Sequence, residues 1–357
     1  MSVVTRRIAR AASAKKTSTD TPPQPDTGPL KITNVAYSST GGNLTVTWQT
    51  NKNADSYTSL YYGPAKHCTW NWQLSGTIDT TADAQVYDFD AFDNGASVVS
   101  TLKAKNIYTI AYFSAGTFED WRSDAASFPA SVKGNEVDGW AGENWLDVRA
   151  LDVLRPIMEN RADIAKAKGF NAIEWDNVDG YQNTPGFPFT QADQVAYNKM
   201  IAQVAHERGL AVFLKNDGDD VGTLQPYFEG SVAEQPYQYS EAAVYKPFST
   251  ANKPVLICEY KTPSAANQTN ANTNGYSLIY HTLNLDKKYL ASYVTNPAPA
   301  VTLTDTTSSP VRDSSMTMTH SMTFSGLTPG QQYGFLLWST AGTEKVYDST
   351  PRTFIAA

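Results

Sequence analysis

Apolar and polar residues alternate with a period of two near both ends of the chain, which predicts β-strands there. Over 30–64 the alternating runs are LKITNVAYSS, LTVTWQT and DSYTSLYYG, and Trp48 is the expected core anchor. Over 301–355 the runs are AVTLT, MTMTHSMTFSGL, YGFLLWST and STPRTFIA. Three short strands cannot close a sandwich alone, so the N-terminal strands need partners from another part of the chain.

The C-terminal strands contain the sequence GLTPGQQY, in which Tyr333 has the spacing of a tyrosine corner. In such a corner the tyrosine hydroxyl bonds back to the backbone where a strand crosses. Together, the two terminal segments resemble a fibronectin type III domain cut in two. We therefore expect residues 30–64 and 291–357 to form one sandwich, with the middle of the chain inserted after its third strand. Two unrelated β decorations are the alternative interpretation.

The middle of the chain, residues 65–290, alternates short apolar runs with helical patterns. The runs are TWNWQ, VYDFD, YTIAYFS, NAIEWD, AVFLKN, SVAEQ, PVLICEY and SLIYHTL. A helix is predicted between the fourth and fifth runs, with Thr190 as its N-cap and Gly209 at its end. Eight strand–helix units favour an α/β fold, a (β/α)8 TIM barrel inserted into the small fibronectin type III-like β-sandwich.

The composition excludes several classes of function. Of the 357 residues, 28 are Lys or Arg and 35 are Asp or Glu, and this net charge of −7 argues against a nucleic-acid partner. No apolar stretch approaches the ~20 residues of a membrane span, so we expect no membrane insertion. Tyr (20) and Trp (8) are abundant while charged residues reach only 18%, a balance that favours the binding of neutral polar ligands.

The sequence contains none of the common cofactor motifs. Its four histidines lie far apart, and no Gly-x-Gly-x-x-Gly and no P-loop is present. Its two cysteines, Cys68 and Cys258, could pair with each other or stay two buried thiols, but they are too few for a disulfide framework or a four-cysteine zinc site. We therefore expect neither a metal nor another cofactor.

Residues 1–29 are predicted to be a disordered N-terminal segment. Their first sixteen positions hold five basic groups, and a Thr-, Pro- and Asp-containing stretch follows. No uninterrupted apolar run follows the arginine pair, so the segment is not expected to contain an intact signal peptide.

Polar side chains follow the predicted strands of the barrel, whose C-terminal strand ends build the active site in this fold. They are Gln73, Asp88, Asp90, Tyr112, Ser114, Glu174, Asp176, Lys215, Asn216, Glu234 and Glu259. Any single one could be a structural salt bridge or a loop cap, whereas the whole set predicts a site.

A calcium or magnesium cage is disfavoured at this site, because no Asp-rich calcium loop is present and Lys215 would repel a cation. Glycoside hydrolysis needs two carboxylates, and six of the eight tryptophans fall in this segment, where they could stack on sugars.

The segments TWNWQLSG, VYDFDAFD, AYFSAGTFEDWRSD, GWAGENWLDVR, GFNAIEWDNVDGY, FLKN and SVAEQ resemble glycoside hydrolase family 114, the endo-α-1,4-polygalactosaminidases and their relatives. The resemblance covers roughly 67–288. It implies a TIM barrel that hydrolyses α-1,4-linked galactosamine polymers outside the cell without a metal. By motif, the acidic pair falls on Asp176 and Glu234. Many relatives have cysteines shortly after this glutamate, where the present chain has Pro236 and Ser240.

We therefore expect an extracellular, monomeric glycoside hydrolase whose partner is a galactosamine-rich exopolysaccharide. By analogy with α-galactosidase-type barrels, Asp176 is assigned as the nucleophile and Glu234 as the acid/base of a retaining reaction. The candidate substrate-binding residues are Trp72, Asp88, Asp90, Tyr112, Ser114, Trp121, Glu174, Asp179, Tyr181, Lys215, Asn216 and Glu259. The alternatives are a non-catalytic carbohydrate-binding or adhesion barrel and an exo-acting, α-galactosidase-like hydrolase.

Overall fold

A computed structural model describes residues 28–304 and 309–357. The predicted N-terminal disordered segment lies outside the described residues, except for its last two positions. The strands are β1 (Ile32–Thr40), β2 (Asn43–Tyr61), β3 (Trp70–Gln73), β4 (Val86–Asp90), β5 (Tyr108–Ser114), β6 (Thr117–Glu119), β7 (Lys133–Val137), β8 (Trp140–Leu146), β9 (Ala172–Asp176), β10 (Ala211–Lys215), β11 (Gly230–Glu234), β12 (Val255–Glu259), β13 (Ser277–Tyr280), β14 (Ala291–Ser292), β15 (Val311–Phe324), β16 (Gln332–Ala341), β17 (Glu344–Tyr347) and β18 (Arg352–Ile355). The α-helices are α1 (Ala96–Lys103), α2 (Leu151–Lys168), α3 (Gln191–Glu207), α4 (Val221–Leu224), α5 (Lys246–Thr250) and α6 (Ala265–Asn274).

The largest sheet is a nearly closed barrel of nine strands in the order β14-β13-β12-β11-β10-β9-β5-β4-β3. All of its strands are parallel except β14, and the eight parallel strands coincide with the eight predicted runs. The indole nitrogen of Trp70 donates to the carbonyl oxygen of Ser277 at 2.8 Å and so links the two ends of the parallel set. The chain is therefore a mixed α/β protein with a barrel-like sheet.

The prediction of eight strand–helix units is wrong in two places. In the described residues, an α-helix follows six of the eight parallel strands, while loops follow β3 and β13. The helix predicted between the fourth and fifth runs is α3, and its N-cap is Thr190 as expected. The backbone N–H of Thr190 donates to Asp193 at 2.8 Å, and the Asp193 N–H donates back to the Thr190 hydroxyl at 3.3 Å.

The strands from the two ends of the chain form one six-stranded sheet in the order β1-β2-β16-β17, with β15 also paired to β2 and β18 to β16. The long strand β2 pairs with β1 through its first half and with β16 through its second half. Trp48 is 1% exposed and shares one apolar cluster with Leu327 and Tyr333, as predicted. The hydroxyl of Tyr333 accepts from the backbone N–H of Thr328 at 3.1 Å, the contact expected of a tyrosine corner.

This terminal sheet packs against the amino-terminal end of the barrel strands. The hydroxyl of Tyr108, at the start of β5, donates to the carbonyl oxygen of Tyr62 at 2.6 Å. The ring of Tyr61 stacks on His206 of α3 with the ring centres 3.8 Å apart. The carboxyl ends of the barrel strands lie away from these contacts, and this is the end where such barrels carry their active sites.

A small sheet in the order β6-β8-β7 is inserted between β5 and α2. It was not predicted from the sequence. None of the helices in the described residues is both long enough and apolar enough to cross a membrane.

Candidate active site

Asp176, Lys215 and Glu234 are the last residues of three consecutive barrel strands, β9, β10 and β11. The indole of Trp175 points outward and donates to the carbonyl oxygen of Ile201 in α3 at 3.2 Å. Because side chains alternate along a strand, Asp176 is turned toward the barrel axis. The same alternation brings all three charged groups to one mouth of the barrel.

Lys215 is a buried cation that contacts both proposed catalytic carboxylates. Its Nζ lies 3.0 Å from Oδ1 of Asp176 and 3.1 Å from Oε2 of Glu234. Burial alone would lower the pKa of Lys215, but the charges of Asp176, Glu234 and Glu174 outweigh it and hold this pKa well above its usual value. Lys215 therefore stays protonated and offsets the repulsion between the two carboxylates.

Asp176 is held by donors on both of its carboxylate oxygens. Tyr112 donates its hydroxyl to Oδ2 at 2.8 Å, while the backbone N–H of Asn177 donates to Oδ1 at 2.7 Å, the oxygen that Lys215 also contacts. Asp176 is thus a carboxylate fixed on both oxygens, and its side chain is 15% exposed.

Glu234 is the more accessible carboxylate, with 29% of its side chain exposed. The hydroxyl of Tyr260 donates to its Oε1, and Lys215 contacts Oε2. The side chain of Asn216 accepts from the backbone N–H of Glu234 at 3.0 Å and fixes the end of β11. Sequence reasoning missed Tyr260, although it follows directly after the predicted site residue Glu259.

A second pair of carboxyl groups, Asp88 and Glu174, lies deeper in the barrel, and both residues are fully buried. Burial and then the charge of Glu174 raise the pKa of Asp88 well above its usual range. Burial also raises the pKa of Glu174 to about 7, although Lys215 lies 3.7 Å away. Among the described residues no other donor hydrogen-bonds to either carboxyl, so one proton shared between the two satisfies both.

Three residues predicted to bind substrate lie beneath the mouth, so the prediction that they contact a sugar is wrong. Trp72, a predicted substrate-binding residue, is 1% exposed and its ring packs 4.8 Å from Nζ of Lys215. Asp88 and Glu174 have no exposed surface for a sugar to contact. All three side chains lie deeper in the barrel than the mouth, on the inner side of Lys215.

Four other predicted residues are bound to neighbouring groups of the protein. Asp90 pairs with Arg122 at 2.7 Å. Glu259 accepts from the backbone N–H of Tyr237 at 2.8 Å. The remaining two are Ser114, which accepts from the side chain of Asn177 at 2.9 Å, and Asn216, described above. These contacts give each residue a structural role at the mouth.

Asp179, Tyr181 and Trp121 are more accessible, and their contact with substrate remains a prediction. Burial and then the charge of Asp176 raise the pKa of Asp179 to about 6. Tyr181 donates to Asp217 at 3.4 Å. Trp121 is 50% exposed beside Arg122, which ties it to the end of β4 through Asp90.

Sequence reasoning also missed an acidic pair after β10. Asp217 and Asp220 are nearly fully buried, and burial followed by the charge of Asp220 raises the pKa of Asp217 to about 8. Asn198 donates to Asp217 at 3.0 Å. The run NDGDD after the predicted strand carried a signal for this pair. Within 28–304 and 309–357, no group of three or more His, Cys, Asp or Glu side chains is arranged to hold a metal ion.

Both cysteines are buried and free. The thiol of Cys68 lies 3.7 Å from the hydroxyl of Ser277, so the two cysteines do not pair with each other in this structure. Of the two alternatives that the sequence left open, the structure has the two buried thiols.

Comparisons with known proteins match the barrel. Residues 49–296 match the model of glycoside-hydrolase family GH114. The crystal structure of Aspergillus fumigatus Ega3 in complex with galactosamine is 34% identical, with a TM-score of 0.59 over 63% of this chain and 95% of that one. The glycoside hydrolase domain of PelA from Pseudomonas aeruginosa is 17% identical, with a TM-score of 0.51 over 67% of this chain and 99% of that one, a likeness of fold. No curated protein sequence gives a significant match.

Proposed function

Because the chain belongs to glycoside hydrolase family GH114, we propose that it cleaves α-1,4-linked galactosamine-containing polysaccharide at internal bonds, using Asp176 and Glu234. The chain is a glycoside hydrolase, similar to the endo-α-1,4-polygalactosaminidases. The bound galactosamine of Ega3, the 34% identical relative, supports an amino-sugar polymer as the substrate.

The observation that carries the proposal is the shared contact of both carboxylates with Lys215. Since Oδ1 of Asp176 and Oε2 of Glu234 lie within 3.0 and 3.1 Å of one nitrogen, these two oxygens are at most about 6 Å apart. Carboxyl groups of retaining glycosidases are about 5–5.5 Å apart, whereas inverting enzymes need roughly 6.5–9.5 Å for a water between them. This spacing supports a retaining mechanism.

In that mechanism Asp176 is the nucleophile, because donors fix both of its oxygens in place. An oxygen of Asp176 attacks the anomeric carbon, while Glu234, which is protonated for this step, transfers its proton to the departing glycosidic oxygen. Glu234, now ionised, removes a proton from water, which attacks the anomeric carbon and releases Asp176. The greater exposure of Glu234 suits a group that must reach the leaving oxygen and then a water.

The ammonium groups of a deacetylated polymer would find carboxylates at the mouth. Asp179 is the candidate for such a contact, because it lies near Asp176 and no side-chain donor of the protein bonds to its carboxyl in the described residues. Trp121 would supply a stacking surface for the apolar face of a sugar ring. A chain with net charge −7 suits a cationic polymer.

We propose that residues 30–64 and 291–357 form one fibronectin type III-like sandwich that carries residues 65–290 as an insertion. The pairing of β2 with both β15 and β16 and the contact between Tyr333 and Thr328 support this organisation. We also propose that the enzyme acts outside the cell as a monomer, in line with the polymeric substrate.

The test is hydrolysis of defined α-1,4-galactosamine polymers, acetylated and deacetylated, followed through new reducing ends and product size. The proposal predicts a ladder of oligomers from the wild-type enzyme and none from Asp176→Asn. Release of monosaccharide from the start would instead indicate an exo-acting hydrolase. Binding of the polymer without new reducing ends would indicate a non-catalytic carbohydrate-binding barrel.

A further inference from the structure

The small sheet β6-β8-β7 lies outside the barrel, yet it contacts the turn that follows Asp176. The backbone N–H groups of Ala115 and Gly116, just before β6, donate to the carbonyl oxygen of Asp176 at 2.9 and 3.1 Å. A Cβ on Gly116 would lie 1.6 Å from the carbonyl oxygen of Asn177, so only glycine permits this approach. The start of the small sheet therefore packs closely against the backbone of Asp176, the proposed nucleophile.

Asn177 connects that sheet to the carboxylate of Asp176. Its φ of +59° lies in the left-handed region, a conformation that surrounding contacts must hold in place. Its side-chain amide donates to Ser114 at 2.9 Å and to Thr117 and Glu143 at 3.3 Å each. Its backbone N–H donates to Oδ1 of Asp176 at 2.7 Å. Asn177 therefore links Glu143 to Asp176, so a change in the side chain of Glu143 can alter the carboxylate of Asp176.

Glu143 is a buried carboxyl group on β8, 7% exposed, that the reaction scheme does not use. The hydroxyl of Thr117 donates to its Oε1, the same oxygen that Asn177 contacts. Burial raises the pKa of Glu143 to about 7, although the hydrogen bond from Thr117 lowers it. The charges of Glu119 and Asp176 also raise this pKa, and the charge of Arg122 lowers it. Glu143 therefore changes charge near neutral pH, close to Asp176.

We propose that Glu143 is a positioning residue for the glycosidic reaction. Its side chain holds Asn177 and thereby Asp176, and its negative charge favours the transition state. The sugar ring becomes positively charged in that transition state, so an added negative charge near the nucleophile stabilises it. The inference rests on the proposed function, because it takes Asp176 as the nucleophile.

The kinetic test compares Glu143→Gln with a matched control. Glutamine keeps an acceptor oxygen for Thr117 and Asn177 but never ionises, and Glu136→Gln makes the same change at an exposed position on β7. We expect the ratio of wild-type to Glu143→Gln kcat/KM to be near one at about pH 5.5 and to reach about five- to tenfold at about pH 8. Glu136→Gln should match the wild type throughout. A ratio that is independent of pH overturns the proposal.

A second measurement needs no turnover. Carbon-13 NMR of labelled glutamate carboxyls follows the ionisation of Glu143, whose signal is the one lost in Glu143→Gln. Removing the neighbouring charge in Asp176→Asn should lower the midpoint of this titration by about half a pH unit or more. The control Asp138→Asn, at an exposed position between β7 and β8, should leave the midpoint unchanged. Equal midpoints in the wild type and Asp176→Asn overturn the proposal.

The two measurements also separate this inference from the proposed function. If the wild-type enzyme cleaves no galactosamine polymer but the midpoint shift is present, the substrate assignment fails and the coupling of Glu143 to Asp176 stands. If cleavage occurs and the midpoint does not move, the role of Glu143 fails and the proposed function stands.

Discussion

The ammonium group of Lys215 lies 3.0 Å from Oδ1 of Asp176, and the two residues end adjacent strands of the barrel. Lys215 is 3% exposed, so water competes little for this contact. The same nitrogen also contacts Glu234, which makes Lys215 the common neighbour of both proposed catalytic groups. Removal of one partner from a buried ion pair leaves an uncompensated charge, which is strongly unfavourable.

Lys215→Met should therefore lower kcat/KM on the order of 100-fold, because the two carboxyl groups lose the cation that bridges and orients them. The measurement is steady-state hydrolysis of a galactosamine oligomer, with circular dichroism to check the fold. Lys31→Met, at an exposed position just before β1, is the control and should have wild-type activity. An active Lys215→Met enzyme would contradict this role.

Tyr260→Phe removes the hydroxyl that donates to Oε1 of Glu234 and leaves the ring in place. This hydrogen bond orients the carboxyl that transfers the proton, so we expect kcat to fall about 10-fold or more with little change in KM. Tyr37→Phe, which alters an exposed tyrosine of β1, should leave both constants unchanged. A rise in KM alone would instead mean that Tyr260 binds substrate and does not act through Glu234.

The eight barrel strands could be predicted because each is buried on both faces and reads as a short apolar run ending in a polar residue. The pair Asp176 and Glu234 could be placed at the mouth because both end such runs. The pattern does not indicate depth, however. Inward-facing residues two apart lie in successive layers, and only the last one approaches solvent. The pattern therefore predicts Glu174 as a substrate contact although it lies below Asp176.

The missed residues have roles that only tertiary contacts reveal. Glu143 and Thr117 contact Asn177, the residue after Asp176, from the small sheet, whose strands are short and whose position on the barrel depends on tertiary contacts. Tyr260 lies one residue beyond the end of β12, and only the position of Glu234 on the neighbouring strand gives it a role. Such contacts depend on which strands are neighbours in space.

Glu174→Gln should change how stability depends on pH. Burial raises the pKa of Glu174 from its usual 4.5 to about 7, so the folded protein binds this proton more tightly than the unfolded chain. The resulting stability is fully present below about pH 4.5 and is lost as the pH rises through about 7. Glutamine carries no such proton and can donate to Asp88. We therefore expect the variant to melt at a higher temperature than the wild type at about pH 8, with the difference shrinking toward pH 5.

Thermal unfolding at several pH values measures this effect. Glu136→Gln is the control, since its exposed position should give the same pH dependence as the wild type. A constant offset between Glu174→Gln and the wild type at every pH would contradict a raised pKa in the folded protein.

Trp48→Ala tests whether the strands from the two ends of the chain share one core. Trp48 is 1% exposed and packs with residues from both ends of the chain, so its truncation should lower the free energy of unfolding by about 3–5 kcal/mol. Trp140 is 63% exposed, and Trp140→Ala should change stability by less than about 0.5 kcal/mol. Chemical denaturation followed by circular dichroism gives both values. Equal effects of the two substitutions would contradict the joint core.

The stereochemistry of the products tests the assignment of Asp176 as nucleophile. The oxygens of Asp176 and Glu234 that contact Lys215 are at most about 6 Å apart, below the roughly 6.5 Å at which the spacing of inverting enzymes begins. Proton NMR during the first turnovers on an α-linked oligomer should therefore show the α-anomer as the first-formed product. Glu234→Gln should still release a good leaving group in the first step, because that step then needs no acid, while Asp176→Asn should not. A β-anomer as first product would make Asp176 a base that activates water, and would leave the pair itself in place.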